Sequence, residues 1–483
     1  MSGKVVIRKL PSGVQGLDEL LGGGIPEFSF NLIAGTPGSG KTTLAHQIMF
    51  SLATSKNRAL FFTVLGEPPL KMLRYQQQYA FFDLDKIGDS IRFVNLSAEL
   101  VNGDFEKILS RINEEVESFQ PALVFVDSFR SVMQSTQSND PNDFALQQFV
   151  QMLGVQMTSW QATTFLIGEY PTQEDGSSPV FTVADGIFWM TQHIHRDAMV
   201  RKIQVVKMRG QSQRPGLHTF RITDGGVETF PRVLVPSAKA PSASIHSGDT
   251  RLTMGVPLLD EMMGGGLPAG YSLLVVGPTG SGKSVLATEF LAEGVRLGEA
   301  GVIAAFEKSP SQLLSRRLDD LVMSGRIGVI DTRALDLSID ETLFELVAMI
   351  KKMDAKRVVI DSLSGFEVAL SAVFRENFRE SLYRLTATLT AMGVTVLMTA
   401  ELEDRYTDLR FSGYGNAFLT DGIAMMRYVE LDGQFERVIS IVKMRASQHS
   451  KDIRFFDIVD GRIKIASVKA PYRAILGGHP APM

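Results

Sequence analysis

Residues 35–42 read GTPGSGKT and residues 277–284 read GPTGSGKS, and both follow the pattern G-x-x-x-x-G-K-[ST]. In that pattern the glycines permit positive φ and close backbone approach, so that successive amide N–H groups face a phosphate at the start of a helix. Gly35, Gly38 and Gly40 supply this geometry in the first stretch, with Thr36, Pro37 and Ser39 between them and Thr43 beginning the helix beyond. Gly277, Gly280 and Gly282 do the same in the second, with Pro278, Thr279 and Ser281 between them and Val285 following. Lys41 and Lys283 are expected to reach the β and γ phosphates of a nucleotide, and Thr42 and Ser284 to offer a hydroxyl to Mg2+.

Working outward, the surroundings of the two loops also repeat. SGVQGLDELLGGGIPEFSFNLIAGTPGSGKT, ending at Thr42, and TMGVPLLDEMMGGGLPAGYSLLVVGPTGSGKS, ending at Ser284, run in register without a gap. Downstream, LVFVDS with Asp127 is answered by RVVIDS with Asp361. VVKMRGQS with Lys207 and Arg209 is likewise answered by IVKMRASQ with Lys443 and Arg445. Repetition at so long a period means duplicated domains, not a solenoid of short units. Between the halves, PSAKAPSASIHSGD at Pro236 to Asp249 is rich in small residues and Pro and has no apolar period, as in a linker. The expected organisation is a first domain at 1–231, a linker at 232–250, a second domain at 251–468 and a tail at 469–483.

Within each half FNLIAG and SLLVVG enter the loops, and LFFTVL and VIAAF, LVFVD and VVID, TTFLIG and VTVLMTA are continuous apolar runs. Such runs, rich in β-branched residues, are expected of parallel strands covered on both faces. Segments such as IDETLFELVAMIKKM place apolar residues at helical spacing between them. The fold class is α/β, twice: two tandem P-loop domains, each a mostly parallel sheet flanked by helices.

Composition narrows the function. The 483 residues are 44% hydrophobic and 21% charged, ample for sizeable cores. A net charge of −4 and a pI near 6.1 give no global basic field, which argues against permanent residence on nucleic acid or an anionic membrane. Zero Cys removes disulfides, thiolate metal sites and Cys nucleophiles together. MSGKVVIRKL has no apolar region of signal-peptide length, and no apolar stretch approaches the roughly 18 residues that a membrane helix needs. A cytoplasmic protein without membrane contact is expected.

Several residues are candidates for the chemistry. A phosphate cradle needs a carboxylate for the metal's water shell at the end of another apolar strand, and Asp127 and Asp361 fit that description. Hydrolysis also needs a group that polarises water near the γ phosphate. VIAAFEKSP places Glu307 after the strand that follows the P-loop helix, and FFTVLGEPP places Glu67 there in the first half. The seven His residues show no paired metal spacing, so any metal is expected to be Mg2+ held through the nucleotide. KMLRYQQQYAFF at 71–82 reads as an amphipathic helix whose Met, Leu, Tyr and Phe pack inward, and RINEEVES as a solvated helix face.

These paired motifs, with the GLDELLGGGIP and LLDEMMGGGLP leaders and DGI at 185–187 and 421–423, resemble the KaiC family of tandem RecA-like ATPases over nearly the whole chain. The resemblance implies ATP and Mg2+ as cofactors and a homo-hexameric double ring with ATP at subunit interfaces. It also implies that Lys207 and Arg209, and Lys443 and Arg445, reach the γ phosphate held by the adjacent subunit. Such a cation stabilises transition-state charge only when the ring is assembled. ITD at 222–224 resembles a nucleotide-edge segment of the family, whereas Val459-Asp460 in the second half lacks the hydroxyl.

Departures from the family bear on function. The family's second catalytic Glu is Lys308 here. NAFLTDGIAMMRYVE carries Ala417 and Phe418 where clock members have adjacent phospho-acceptors, and neither can accept a phosphoryl group. Ser412 or Thr420 would substitute only if the geometry moved. APYRAILGGHPAPM does not resemble the activator-binding tail of clock members, so a KaiB-like partner is compatible with the chain and a KaiA-like one is not favoured. The expected activity is a nucleotide-driven switch for protein partners. An autokinase using Glu307 is the alternative, and a nucleic-acid motor with Arg214, Arg221 and Lys207 lining a channel is the third.

Overall fold

The computed structural model describes residues 6–63, 69–100, 105–128, 144–170, 179–195, 198–232, 250–306, 316–331, 338–370, 378–402, 419–431, 433–469, 472–473 and 481–482, save some side chains within these spans. Contacts divide the chain into two units, Met1–Arg232 and Val233–Met483. Apart from Arg232 and Thr250, the expected linker lies outside the described residues.

In the first unit a nine-stranded sheet has the order Gly226–Phe230, His218–Thr223, Ala198–Met208, Gly186–His195, Phe30–Gly35, Thr163–Glu169, Leu123–Asp127, Ala59–Thr63, Ile91–Asn95. The strands from Gly186–His195 to Ile91–Asn95 are parallel, and the remainder extend the sheet antiparallel. The second unit has the same nine-stranded topology: Arg462–Lys469, Ile453–Val459, Gln434–Met444, Gly422–Leu431, Ser272–Gly277, Thr395–Glu401, Arg357–Asp361, Gly301–Ala305, Ile327–Asp331. The two sheets, each mostly parallel and flanked by helices, are the α/β architecture expected of tandem RecA-like domains.

The strands alternate between two apolar layers. Leu32 and Ala34 face a core with the helices Phe105–Phe119 and Phe144–Ser159, while Ile33 faces another with the P-loop helix Lys41–Leu52. In the second unit Leu274 and Val276 face Ile339–Met353 and Phe378–Ala391, and Val275 faces Lys283–Arg296. Burial on both faces explains why these strands read as continuous apolar runs. The amphipathic segment IDETLFELVAMIKKM forms the helix Ile339–Met353, where the Ser338 hydroxyl accepts from Glu341 N–H at 3.1 Å. KMLRYQQQYAFF is helical only as far as Gln76, in the helix Pro69–Gln76; Met72 packs against the core from the helix, and Phe81 and Phe82 from the turns beyond it. Tyr75 is exposed, contrary to the expectation that it packs inward.

Both sheets carry an irregularity at the same place. The hairpin Gly186–His195/Ala198–Met208 shifts register between Ile187 and Phe188, and Gly422–Leu431/Gln434–Met444 between Ile423 and Ala424. A bulge there re-aims the residue beside it, which is Lys207 or Lys443. Among the described residues no helix is long and apolar enough to cross a membrane.

Candidate nucleotide sites

Each P-loop leaves the C-terminal end of its sheet's central strand. Gly35 has φ +150°, and a Cβ there would lie 1.8 Å from the Met190 carbonyl oxygen, so the strand must end in glycine. Gly40 and Gly282, at φ +93° and +104°, begin the two helices, and neither helix has a side-chain cap. The first-turn N–H groups are therefore left to a ligand at the helix start.

The lysines curl over the loops. Lys41 Nζ donates to Thr36 O at 2.8 Å, and Lys283 Nζ to Gly277 O and Pro278 O, each at 2.8 Å. Burial pulls the Lys41 ammonium below its usual range, opposed by the nearby Glu169 and Asp127 carboxylates. Thr42 Oγ1 donates to Asp127 Oδ2 at 2.7 Å. Burial raises Asp127 to about 6, against the opposing pull of the Thr42 hydroxyl and Lys41, while Glu169 adds to the rise. In the second unit Thr399, one strand away, donates to the Asp361 carboxylate. Asp361 and Ser284 line one cavity of about 270 Å³ with Thr279, Gly280, Lys283 and Glu401.

The fit of a triphosphate and its metal is tested by polar atoms inside the loops. Ser39 Oγ, Ser281 Oγ and Thr36 Oγ1 are buried without a hydrogen-bond partner. Hydroxyls orphaned beside an uncapped helix start are what a phosphate oxygen satisfies. Thr42 and Asp127 offer a hydroxyl and a carboxylate, the oxygen donors Mg2+ accepts while keeping several waters. Among the described residues no group of three or more His, Asp or Glu is placed to hold a metal by itself.

Comparison with known proteins agrees with this geometry. The sequence model of the family described as "ATPase: KaiC" matches residues 10–233 and again 252–470. The chain belongs to the KaiC ATPase family. It is 27% identical to the circadian clock oscillator protein KaiC of Picosynechococcus sp., over 98% of this chain and 92% of that protein. It is 28% identical to the circadian clock protein KaiC3 of Synechocystis sp., over 98% and 95%. With the KaiC of Prochlorococcus marinus the identity is 26% over 99% and 97%. Membership makes the chain an ATP-binding protein of an ATPase family, duplicated along its length.

Within this KaiC-family architecture the KMR segments sit far from the loops of their own units. Lys207 lies opposite Ile187 and Met208 opposite Gly186, and Gly186 pairs with Asn31. From Asn31 to Gly35 the strand covers about 13 Å at 3.3 Å per residue, so Lys207 and Arg209 lie at the opposite end of the strands from the loop. Lys207 Nζ donates to the Phe181 and Thr182 carbonyls at 3.2 Å each, and Arg209 to Asp185 at 3.0 Å. Asp185 also accepts from Phe30 N–H at 3.0 Å, which ties the arginine to the start of the P-loop strand. The second unit repeats this: Lys443 donates to Thr420 O at 2.6 Å, Arg445 lies 3.5 Å from Asp421, and Asp421 accepts from Ser272 N–H at 3.0 Å. Burial, then the adjacent arginine, lowers both lysines from their usual range.

Glu67, Glu307, Ser412, Ala417 and Phe418 lie outside the described residues. Thr420 is described and only 2% exposed, so its hydroxyl is not presented to a phosphoryl donor. The nucleotide-edge segment does approach the loops. A Cβ on Gly40 would meet Ile222 at 2.6 Å, and one on Gly282 would meet Ile458 at 2.9 Å. Sequence reasoning missed two kinds of neighbour. Gln192 donates to Pro37 O at 2.9 Å and Tyr428 to Gly280 O at 2.6 Å, from equivalent strands. Glu169 lies 4.0 Å from Lys41 Nζ, and Glu401 accepts from the Thr279 hydroxyl. Each closes an apolar run, TTFLIGE or TVLMTAE, and has no pattern of its own within it.

Proposed function

We propose that this chain hydrolyses ATP at sites completed by a neighbouring copy in a hexameric double ring. Nucleotide state then switches the surface offered to a protein partner, in the cytoplasm. The observation that carries the reading is the position of Lys207 and Arg209, and of Lys443 and Arg445, at the end of the sheet strands opposite their own P-loops. A cation so placed serves a γ phosphate only if that phosphate is held by another copy.

In this reading the loop amides of 35–42 and 277–284 cradle the phosphates, and Lys41 and Lys283 leave their loop carbonyls for the β and γ oxygens. Mg2+ neutralises charge between those oxygens when bound, with Thr42 and Asp127, or Ser284 and Asp361, as its protein side. Glu67 and Glu307 polarise the attacking water, and the partner copy's cations meet the charge that develops on the γ phosphate. The printed names of the relatives concern circadian clocks. Ala417 and Phe418 argue that this chain does not keep time by phosphorylating those positions.

The test is Mg2+-dependent ATP turnover together with native mass, with and without ATP. Turnover that is lost when Lys41→Ala and Lys283→Ala are combined, and an ATP-dependent hexamer, are expected. A chain that is monomeric under all nucleotide conditions, or whose turnover ignores both lysines, contradicts the reading.

A further inference from the structure

The strand beside each P-loop strand ends in a glutamate that meets the loop, and it does so twice. Gly35 pairs with Glu169 in parallel register, and Gly277 with Glu401. The following residue locks each end: Tyr170 N–H donates to Gly35 O and Leu402 N–H to Gly277 O, both at 3.1 Å. A carboxylate is thus held at the level of the first loop glycine in both halves. Its side chain reaches the phosphate-binding machinery by different routes, 4.0 Å from Lys41 Nζ in one case and onto the Thr279 hydroxyl in the other. Glu401 also lines the cavity with Lys283, Ser284 and Asp361.

Packing does not require a glutamate at either position. The Glu169 side chain is 54% exposed, so it fills no core space. Its carboxylate faces the Lys41 ammonium expected to bind a γ phosphate, which places it beside that phosphate. Carboxylate and phosphate repel each other directly, whereas a water molecule donating to the carboxylate fits between them. In the sequence Glu307 is followed by Lys308 and Glu67 is preceded by Gly66, so neither stretch carries two adjacent carboxylates.

We propose that Glu169 and Glu401 orient the attacking water by accepting a hydrogen bond from it. This rests on the ATPase reading above and deepens it. The water oxygen bonds to the γ phosphorus as the bond from that phosphorus to the β-bridging oxygen breaks, and ADP leaves with the electron pair. The proton shed passes to solvent, and the hydrogen directed at Glu169 or Glu401 stays on the new phosphate. These glutamates are catalytic residues in the sense that they touch the reacting water.

The experiment compares the full chain with a Glu169→Gln/Glu401→Gln variant and a Glu169→Asp/Glu401→Asp variant, measuring kcat for ATP and the Kd of a fluorescent ATP analogue. Circular dichroism and retained analogue binding check folding. The expected result is a kcat at least tenfold lower for the Gln pair with Kd within twofold of the parent, and partial recovery with Asp. A smaller fall in kcat, or a fall matched by weakened Kd as a loop-holding role would give, overturns the proposal. A parent chain without ATP turnover sinks the ATPase reading itself, and this proposal with it.

Discussion

The Thr42 hydroxyl donates to the Asp127 carboxylate across 2.7 Å, joining the P-loop helix to the end of a strand two places away in the sheet. In the proposed reading this pair would be the oxygen set offered to Mg2+. Asp127→Asn keeps the size and one acceptor but removes the charge. Apparent Mg2+ affinity is expected to weaken about 10- to 100-fold, as for loss of a group that orients a metal's water shell. A Mg2+ titration of ATP turnover in a Lys283→Ala background measures it, and an unchanged midpoint would remove Asp127 from the metal's surroundings.

Gly35→Ala tests the turn itself. At φ +150° a side chain is strained, and its Cβ would run into the Met190 carbonyl oxygen at 1.8 Å. The backbone must move, at a cost of about 1–3 kcal/mol from strain alone. The variant is expected to unfold at lower urea and to lose nucleotide affinity in the first unit, while Lys283→Ala leaves the first unit's urea midpoint untouched. Equal urea midpoints for Gly35→Ala and wild type would contradict the close approach.

Acid should destabilise the first unit through His46. This ring is fully buried on the P-loop helix, stacked on Phe61 at 4.6 Å, and neither ring nitrogen meets hydrogen-bond geometry, although the Gln76 amide stands nearby. Burial lowers it from 6.5 to about 3. The unfolded chain therefore takes up a proton below pH 6.5 that the folded chain refuses until about pH 3, and stability falls with pH through that window. The expected slope is about 1.4 kcal/mol per pH unit. Asp127, raised to about 6, acts with the opposite sign between pH 6 and its unfolded value, so the comparison needs a partner variant. From urea unfolding at pH 7 and 5, the unfolding free energy of wild type relative to His46→Leu should fall by about 2 kcal/mol at the lower pH. Parallel pH profiles would show that His46 titrates normally.

What the sequence disclosed followed from how local each signal is. GTPGSGKT and GPTGSGKS carry their geometry within eight residues, and the runs around Asp127 and Asp361 are apolar because both faces of the strand are covered. The duplication was legible for the same reason, and both sheets have the order it implies. Glu169 and Glu401 were passed over because a glutamate closing an apolar run carries no local pattern; only the parallel register with Gly35 and Gly277 brings it to the loop. Gln192 and Tyr428 depend on the same kind of cross-strand placement. The KMR segments were visible as repeats, but their distance from their own loops is a property of the hairpin register and its bulge.

The most direct measurement of the central claim mixes two inactive chains. One carries Lys41→Ala and Lys283→Ala and keeps its KMR segments; the other carries Arg209→Ala and Arg445→Ala and keeps both P-loops. Each alone should turn over ATP about 10³-fold more slowly than wild type, the lower end for loss of an arginine at a transferring phosphate. Combined, they should regain turnover, because an intact loop on one copy meets an intact arginine on the next. If the mixture stays as inactive as its parts, or if the arginine variant works at full rate by itself, the two copies do not share a site.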